Sequence, residues 1–450
     1  MADANAGGGS PATLELDDIQ GYVVHHPPLP YFGTHATLRI DDPAQGRELL
    51  RRLARHIVPA SRWHDADVDV WMGLGLTYAG LKALHLSADT LASFPEAFRQ
   101  GMAARAESKL GDTGPSAPAH WEEPFGTGQI HVTVTMYVAD QTTRRQRLEE
   151  GLRQLHEELP GITLLGRGDF AQPPNGRTHL GYVDGISQPN IQGSGIRSLP
   201  GQGPPIAAGE FVLGYPAKAG TPLPMPHPHV LGRNSTYACF RKQHIDVAAF
   251  RRFLTNNADS EHERDLLAAK MMGRWPSGAP LVLTPQADNP ALARDRQRNN
   301  DFDYSTDPRG RACPLGAHIR RVNPRNACLE VLTDVDIHRL IRRGTVYGPP
   351  LPKGVCEDDG ADRGIYSIFL SARAPDTFEF VKKEWVEDGN FLSLDEEKDP
   401  VAGDNHDGTF TIPRHPFPKK LEGLTRFTRT LGGEYCFVPS LPALTWLANA

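Results

Sequence analysis

Four short segments carry residue types able to do chemistry. GYVDG (181–185) places one acid, Asp184, beside two glycines, just ahead of a Ser-Gln-Pro turn. Such an acid either shapes a turn, since Asp-Gly is a common turn dipeptide, or is a carboxylate held still over something reactive. CPLGAHIRRVNPR (313–325) contains His318, which reads either as a satisfied imidazole or as a ligand. RRG (342–344) offers two guanidinium groups, Arg342 and Arg343, that a strand would send in opposite directions, so that only one faces a given site. DPVAG (399–403) presents Asp399 before a proline, most simply as a loop residue. Taken singly, each segment has a structural reading commoner than its functional one.

The elements that must hold these segments read as two similar runs. Ile130, Val132, Val134, Met136 and Val138 alternate with polar residues, the pattern of a strand with one buried face. Asp140 then looks like a helix N-cap. Leu148, Leu152, Leu155 and Leu159 follow at helical spacing. Strands at 36–40, 68–74 and 162–166 and helices at 44–58 and 77–84 complete a strand-helix-strand, strand-helix-strand order, which suits a ferredoxin-like module. Residues 190–230, rich in glycine and proline, read as a linker and surface loop. Strands at 234–242, 339–344, 365–372 and 434–440, with helices at 246–254 and 376–385, repeat the order around an excursion over 258–335. The expected organisation is a tail over 1–13, a first module over 14–189, the loop, and a second module over 231–450.

Composition narrows the class. The 450 residues carry a net charge of −6, so no basic excess points to nucleic acid. No apolar run approaches the roughly 18 residues of a membrane helix. The opening MADANAGGGSPATL lacks the charged and apolar regions of a secretory signal, and the expected compartment is the cytoplasm. Five scattered cysteines show neither a zinc pattern nor a CxxCH haem attachment and read as reduced thiols. The 44 glycines and 39 prolines predict long connections. EDDGAD (357–362) and GDNHDG (403–408) suggest a divalent-metal loop, but they lack EF-hand spacing and read more simply as solvated loops.

In combination the segments say more. GYVDGISQP, then GAHIRRVNPR, then RRG-x-x-Y-G, then a DP-x-x-G stretch together resemble the dye-decolorizing peroxidase family of haem enzymes. LDDIQGYVV, GEFVLGY, LLAAKMMGRWPSGAPLVL, FEFVKKEW and GGEYCFVPSLPAL extend the resemblance over about residues 14 to 448, toward the longer bacterial and fungal members.

The resemblance implies an α+β fold of two ferredoxin-like modules whose antiparallel sheets pack together, with non-covalent haem b in the C-terminal module. It implies hydrogen peroxide as oxidant and a dye or phenolic aromatic as reductant. His318 would be the axial iron ligand, as imidazole is in many haem proteins, and Asp399 its hydrogen-bond partner. Asp184 would accept and return a proton, and Arg342 would meet the charge on the departing oxygen. Gly185, Ile186 and Ser187 would contact haem, Asn323, Pro324 and Arg325 match the family's NPR, and Arg325 would pair with a propionate. Ile365 and Ser367 fall where the family commonly has a bulky Leu and Phe over the distal face. Ser367 in place of Phe implies a wider or wetter pocket. Electrons from bulky substrates would hop through tyrosines or tryptophans, with Tyr347, Tyr366 and the six tryptophans as candidates. The competing reading is a haem-handling protein without turnover, which would not need Asp184 together with Arg342.

Overall fold

The computed structural model describes residues 13–27, 29–139, 141–173, 176–326, 333–373 and 375–450. The first run builds β1 (Tyr31–Ile40), α1 (Pro43–Ala54), β2 (Val70–Leu76), α2 (Tyr78–Ala83), β3 (Val132–Ala139), α3 (Thr142–Glu157) and β4 (Ile162–Ala171). These strands pair antiparallel in the order β4-β1-β3-β2. The second run builds β5 (Thr236–Ile245), α4 (Val247–Asn256), α5 (Glu261–Met272), α6 (His318–Val322), β6 (Ile341–Tyr347), β7 (Gly364–Ser371), α7 (Asp376–Phe380), the hairpin β8 (Gly408–Ile412) and β9 (Lys419–Leu424), and β10 (Thr428–Val438). Its four long strands pair in the order β10-β5-β7-β6. Each half therefore has its last strand beside its first and its third beside its second, the ferredoxin-like arrangement. A single register pair, Phe437 with Leu76, joins the two halves edge to edge.

The sheets also meet face to face, and His35 of β1 shows how. Its ring lies 4.5 Å from Phe170 of β4, 5.0 Å from Phe240 of β5 and 4.8 Å from Tyr366 of β7, centroid to centroid. Its two ring nitrogens reach Thr135 Oγ1 at 2.8 Å and Thr345 Oγ1 at 3.0 Å, so one imidazole bridges β3 and β6. Burial pushes its pKa down to about 3, so the bridge is neutral.

This packing corrects one expectation. The apolar face of β3 is buried, but Thr135 and Tyr137 on its other face are buried as well. The second sheet covers the side that alternation alone assigned to solvent. The leucines expected on one helix face, Leu148, Leu152, Leu155 and Leu159, are all buried. The residue flanking α3 is Gln141, without a side-chain cap bond, and Asp140 lies outside the described residues. Residues 190–230 have little regular structure. Even so, Phe211, Val212 and Leu213 are fully buried, so this stretch is partly core rather than surface loop throughout. The helix expected over 376–385 runs as α7 and then widens into a π-helical turn over Val381–Val386.

Candidate active site

Strand β6 places the guanidinium groups. Its burial alternates, and Arg342 and Arg343 point opposite ways. Arg343 turns into the protein and donates from Nε to Tyr22 O at 2.7 Å and from Nη2 to Val23 O at 3.0 Å. Burial lowers its pKa to about 10, and its charge, with burial, drives the adjacent His26 down to about 3. Arg342 instead faces a cavity, where its Nη2 pairs with Asp184 Oδ1.

Asp184 arrives on a loop whose turn depends on glycine. Gly185 has φ +77°, in the left-handed region, and its N–H donates to Asp184 Oδ1 at 2.7 Å. A Cβ at Gly185 would have only His26 within 4 Å, at 3.9 Å. Conformation, more than space, calls for glycine there. Gly344 is the position where space decides. A Cβ on it would stand 2.6 Å from Arg342 Nη1 and 2.9 Å from Asp184 Oδ2. The bare backbone of β6 is the floor on which the ion pair rests.

His318 opens α6 and lines the same cavity. Its Nδ1 lies 2.8 Å from Asp399 Oδ2, and its Nε2 makes no hydrogen bond among the described residues. Asp399 is fully buried. Its Oδ1 accepts from Val401 N at 2.8 Å and Ala402 N at 2.9 Å, and Asn405 Nδ2 donates to its main-chain carbonyl at 2.8 Å. Burial alone would raise the carboxyl, but His318, Arg321 and the Ala402 amide together hold it below the usual carboxylate range. Arg321, also fully buried, donates to the carbonyls of Trp385, Glu397 and Asp388 and so ties down the chain that leads into Asp399.

The cavity measures ≈ 360 Å³. It brings together Asp184, Gly185, Ile186, Ser187, His318, Asn323, Arg325, Arg342, Ile365 and Ser367 from the residues singled out in the sequence. Asp399 and Pro324 do not reach its wall; Asp399 lies behind His318, and Pro324 is buried. Arg325 reaches the wall, but its Nη1 donates to Gly201 O at 3.0 Å and Phe302 O at 2.7 Å, and its Nη2 to Asn300 Oδ1 at 2.5 Å. It holds three loops together with most of the donors expected to meet a propionate.

Arg339, which the sequence reading passed over, also lines the cavity, and its side chain makes no hydrogen bond or ion pair among the described residues. Burial and the neighbouring Arg325 lower its pKa to about 10. The strand expected over 339–344 would put Arg339 on the face of Arg343 by alternation, but the regular strand begins at Ile341, so that alternation does not orient it. Gln188, Phe369 and Arg241, also absent from the sequence reading, line the cavity too, with Arg241 opposite Ser367 in the ladder.

A bound haem needs an open imidazole nitrogen, an apolar wall and partners for its carboxylates. His318 Nε2 meets the first need. Ile319, Val322, Ile365, Phe369 and Val401 supply the second. For the third, the Arg339 guanidinium and the Asn323 Nδ2 amide are donors on the cavity wall with no hydrogen bond among the described residues. The residues present fit the group.

Known proteins agree. No family model matches the chain. Peroxidase 2 of Mycetinis scorodonius is 32% identical over 404 residues, covering 83% of this chain and 75% of the relative. Dye-decolorizing peroxidase msp1 of the same fungus is 31% identical over 405 residues, covering 83% of this chain and 75% of the relative. The chain belongs to the dye-decolorizing peroxidase family. A solved dye-decolorizing peroxidase in complex with 2,6-dimethoxyphenol superposes with a TM-score of 0.85 at 26% identity, covering 97% of this chain and all of that one. The dye-decolorizing peroxidase of Auricularia auricula-judae gives 0.83 at 25% identity, with 97% of this chain covered. As a member of this family the chain is a haem-dependent peroxidase of α+β fold.

Among the described residues no group of three or more His, Cys, Asp or Glu side chains is placed to hold a metal ion. The acidic segments pair with bases instead: Asp359 with Arg363, Asp362 with Lys242, and Asp404 with Arg426. Five tryptophans (63, 71, 121, 275 and 385) are buried, Trp446 is half-buried, and Tyr347 and Tyr366 pack ring to ring at 4.8 Å. Among the described residues no helix is long and apolar enough to cross a membrane.

Proposed function

We propose that this peroxidase reduces hydrogen peroxide at the cavity shared by Asp184, Arg342 and His318, and oxidises dyes or phenols by single electrons. The carrying observation is that two charge relationships open onto one cavity: His318 backed by Asp399, and Asp184 paired with Arg342. When bound, haem b supplies the redox centre that takes up the two oxidising equivalents of peroxide. The division of labour follows the modules: residues 14–189 bring the Asp184 loop, residues 190–230 connect, and residues 231–450 bring His318, Arg342 and the haem contacts.

His318 Nδ1–H donates to Asp399, which fixes the tautomer and leaves the Nε2 lone pair for iron. Asp184 takes a proton from the nearer peroxide oxygen and returns it to the farther one, which leaves as water. Arg342 keeps its charge throughout and presents fixed donors to the oxygen that becomes negative. Gly185, Ile186, Ser187 and Ile365 shape the wall against the ring. Arg339 and Asn323 are the freest groups for its carboxylates, with Arg325 organising the loops beside them. Two molecules of phenol then each give one electron and one proton, and a second water forms. A protein that merely carried haem would have no use for the Asp184–Arg342 pair. Four of the described cysteines are unpaired thiols, in keeping with a reducing cytoplasm.

The test is the absorption spectrum of the haem-loaded protein before and after peroxide, in the native chain and in Asp184→Ala. We expect a Soret band that responds to peroxide, and a rate constant for that response lowered by about 10²–10⁴ in the variant. An unaltered rate in Asp184→Ala removes Asp184 from the reaction.

A further inference from the structure

Gln188 lies four residues beyond Asp184, and its side chain reaches the backbone of the strand that carries Arg342. The Arg342 N–H donates to Gln188 Oε1 at 3.2 Å, and Gln188 Nε2 donates to the Arg342 carbonyl at 3.3 Å. Strand β6 ends the sheet order, so β7 lies on one side of it and, among the described residues, no strand on the other. Within β6, Arg342 stands opposite Phe369 of β7 while its own N–H and C=O turn outward to Gln188. A primary amide carries one donor side and one acceptor, as a peptide does. Gln188 thus supplies one rung of a ladder where a neighbouring strand would otherwise stand.

The other end of the rung is held as well. Gln202 Nε2 donates to the Gln188 carbonyl at 3.4 Å, and Gln202 Oε1 accepts from Leu199 N at 2.6 Å. One side chain therefore ties the loop bearing Asp184 to the backbone bearing Arg342, although the two charged residues are 158 positions apart. An edge strand is held on one side only, and a slip of one residue would exchange the faces of Arg342 and Arg343. The rung sits at the residue whose facing matters.

We propose that Gln188 is a positioning residue for the peroxide reaction: its amide locks the backbone of Arg342 to the Asp184 loop, so that guanidinium and carboxylate meet peroxide at one fixed spacing. This rests on the roles given to Asp184 and Arg342 above.

The experiment uses the haem-loaded enzyme and the variants Gln188→Met, which keeps side-chain length and removes both hydrogen bonds, and Gln188→Ala. Two rate constants are read by stopped flow at the Soret band: reaction with peroxide, and binding of cyanide to the ferric enzyme. Cyanide is taken up as the neutral acid, so its binding needs the proton acceptor and the cation without any turnover. Both constants should fall in both variants, by on the order of 10²-fold for a displacement near 1 Å. Haem content and Tm should stay close to the parent. Unchanged constants in Gln188→Met overturn the inference. So does a fall accompanied by loss of haem or a collapsed Tm in Gln188→Met, since that marks a structural role alone. Asp184→Ala run alongside separates the two levels. If it too leaves both constants unchanged, the reading of the site fails; if it lowers them and Gln188→Met does not, only the role of Gln188 fails.

Discussion

Replacing Gly344 with alanine adds one methyl group where the structure leaves 2.6 Å to Arg342 Nη1 and 2.9 Å to Asp184 Oδ2. Comfortable contacts between heavy atoms lie at roughly 3.5 Å or more. The two charged groups must therefore retreat by about 0.6–0.9 Å. Neither is backbone, and Gly344 sits in the extended backbone of β6 outside the left-handed region, so alanine adopts its conformation. Folding should lose little, and the lower freedom of the unfolded chain offsets part of any loss, by about 0.4–1 kcal/mol. The reaction should lose much more, because the atoms that move are those proposed to handle the proton and the charge. A misplacement near 1 Å costs on the order of 10²-fold, which is about 2.7 kcal/mol of barrier at 1.36 kcal/mol per decade. Stopped-flow measurement of the peroxide rate constant in Gly344→Ala, with Tm beside it, checks both halves. A rate constant within twofold of the parent refutes the idea that the bare strand sets the pair's place. A large fall in Tm with the rate refutes the separation of site from fold.

Three further outcomes follow from the same geometry. Asp399→Ala removes the acceptor of His318 Nδ1–H and should weaken haem retention by about 10–100-fold, read as haem transfer to apomyoglobin; unchanged retention would detach Asp399 from the ligand. Ser367 is buried at the cavity wall, opposite Gly344 in the ladder, and Ser367→Phe should narrow the pocket and alter the peroxide rate constant, while an unchanged constant would end the argument for a wider pocket. Glu434 is buried with one backbone donor, Gly126 N at 3.1 Å, and burial raises its pKa from 4.5 to about 7. Its folded state thus holds a proton that the unfolded chain releases, so stability is full below about pH 4.5 and falls as pH rises through about 7. At 1.36 kcal/mol per pH unit the loss is roughly 3 kcal/mol. Denaturant melts of Glu434→Gln against the parent between pH 5 and 8 should diverge upward with pH, and parallel curves would count against a buried neutral acid.

Much of this protein was legible before folding, for reasons that are local. Alternation in 130–138 and helical spacing in 148–159 come from the fixed repeat of strand and helix, and both elements formed where the pattern lay. The opposition of Arg342 and Arg343 needed only the period of a strand. His318, Asp184 and Arg342 were reached through the resemblance of several ordered motifs to a known family, since order along the chain can be read without the fold. Tertiary structure decided what depends on through-space contact between distant positions. It buried the second face of β3 by laying another sheet on it, and it drew Arg325 onto Gly201, Asn300 and Phe302. It also left Arg339 open to the cavity, set the Asp184–Arg342 pair on Gly344 and placed the Gln188 amide against an edge strand. None of these leaves a periodic trace, because each joins residues whose separation along the chain carries no information about their distance in space.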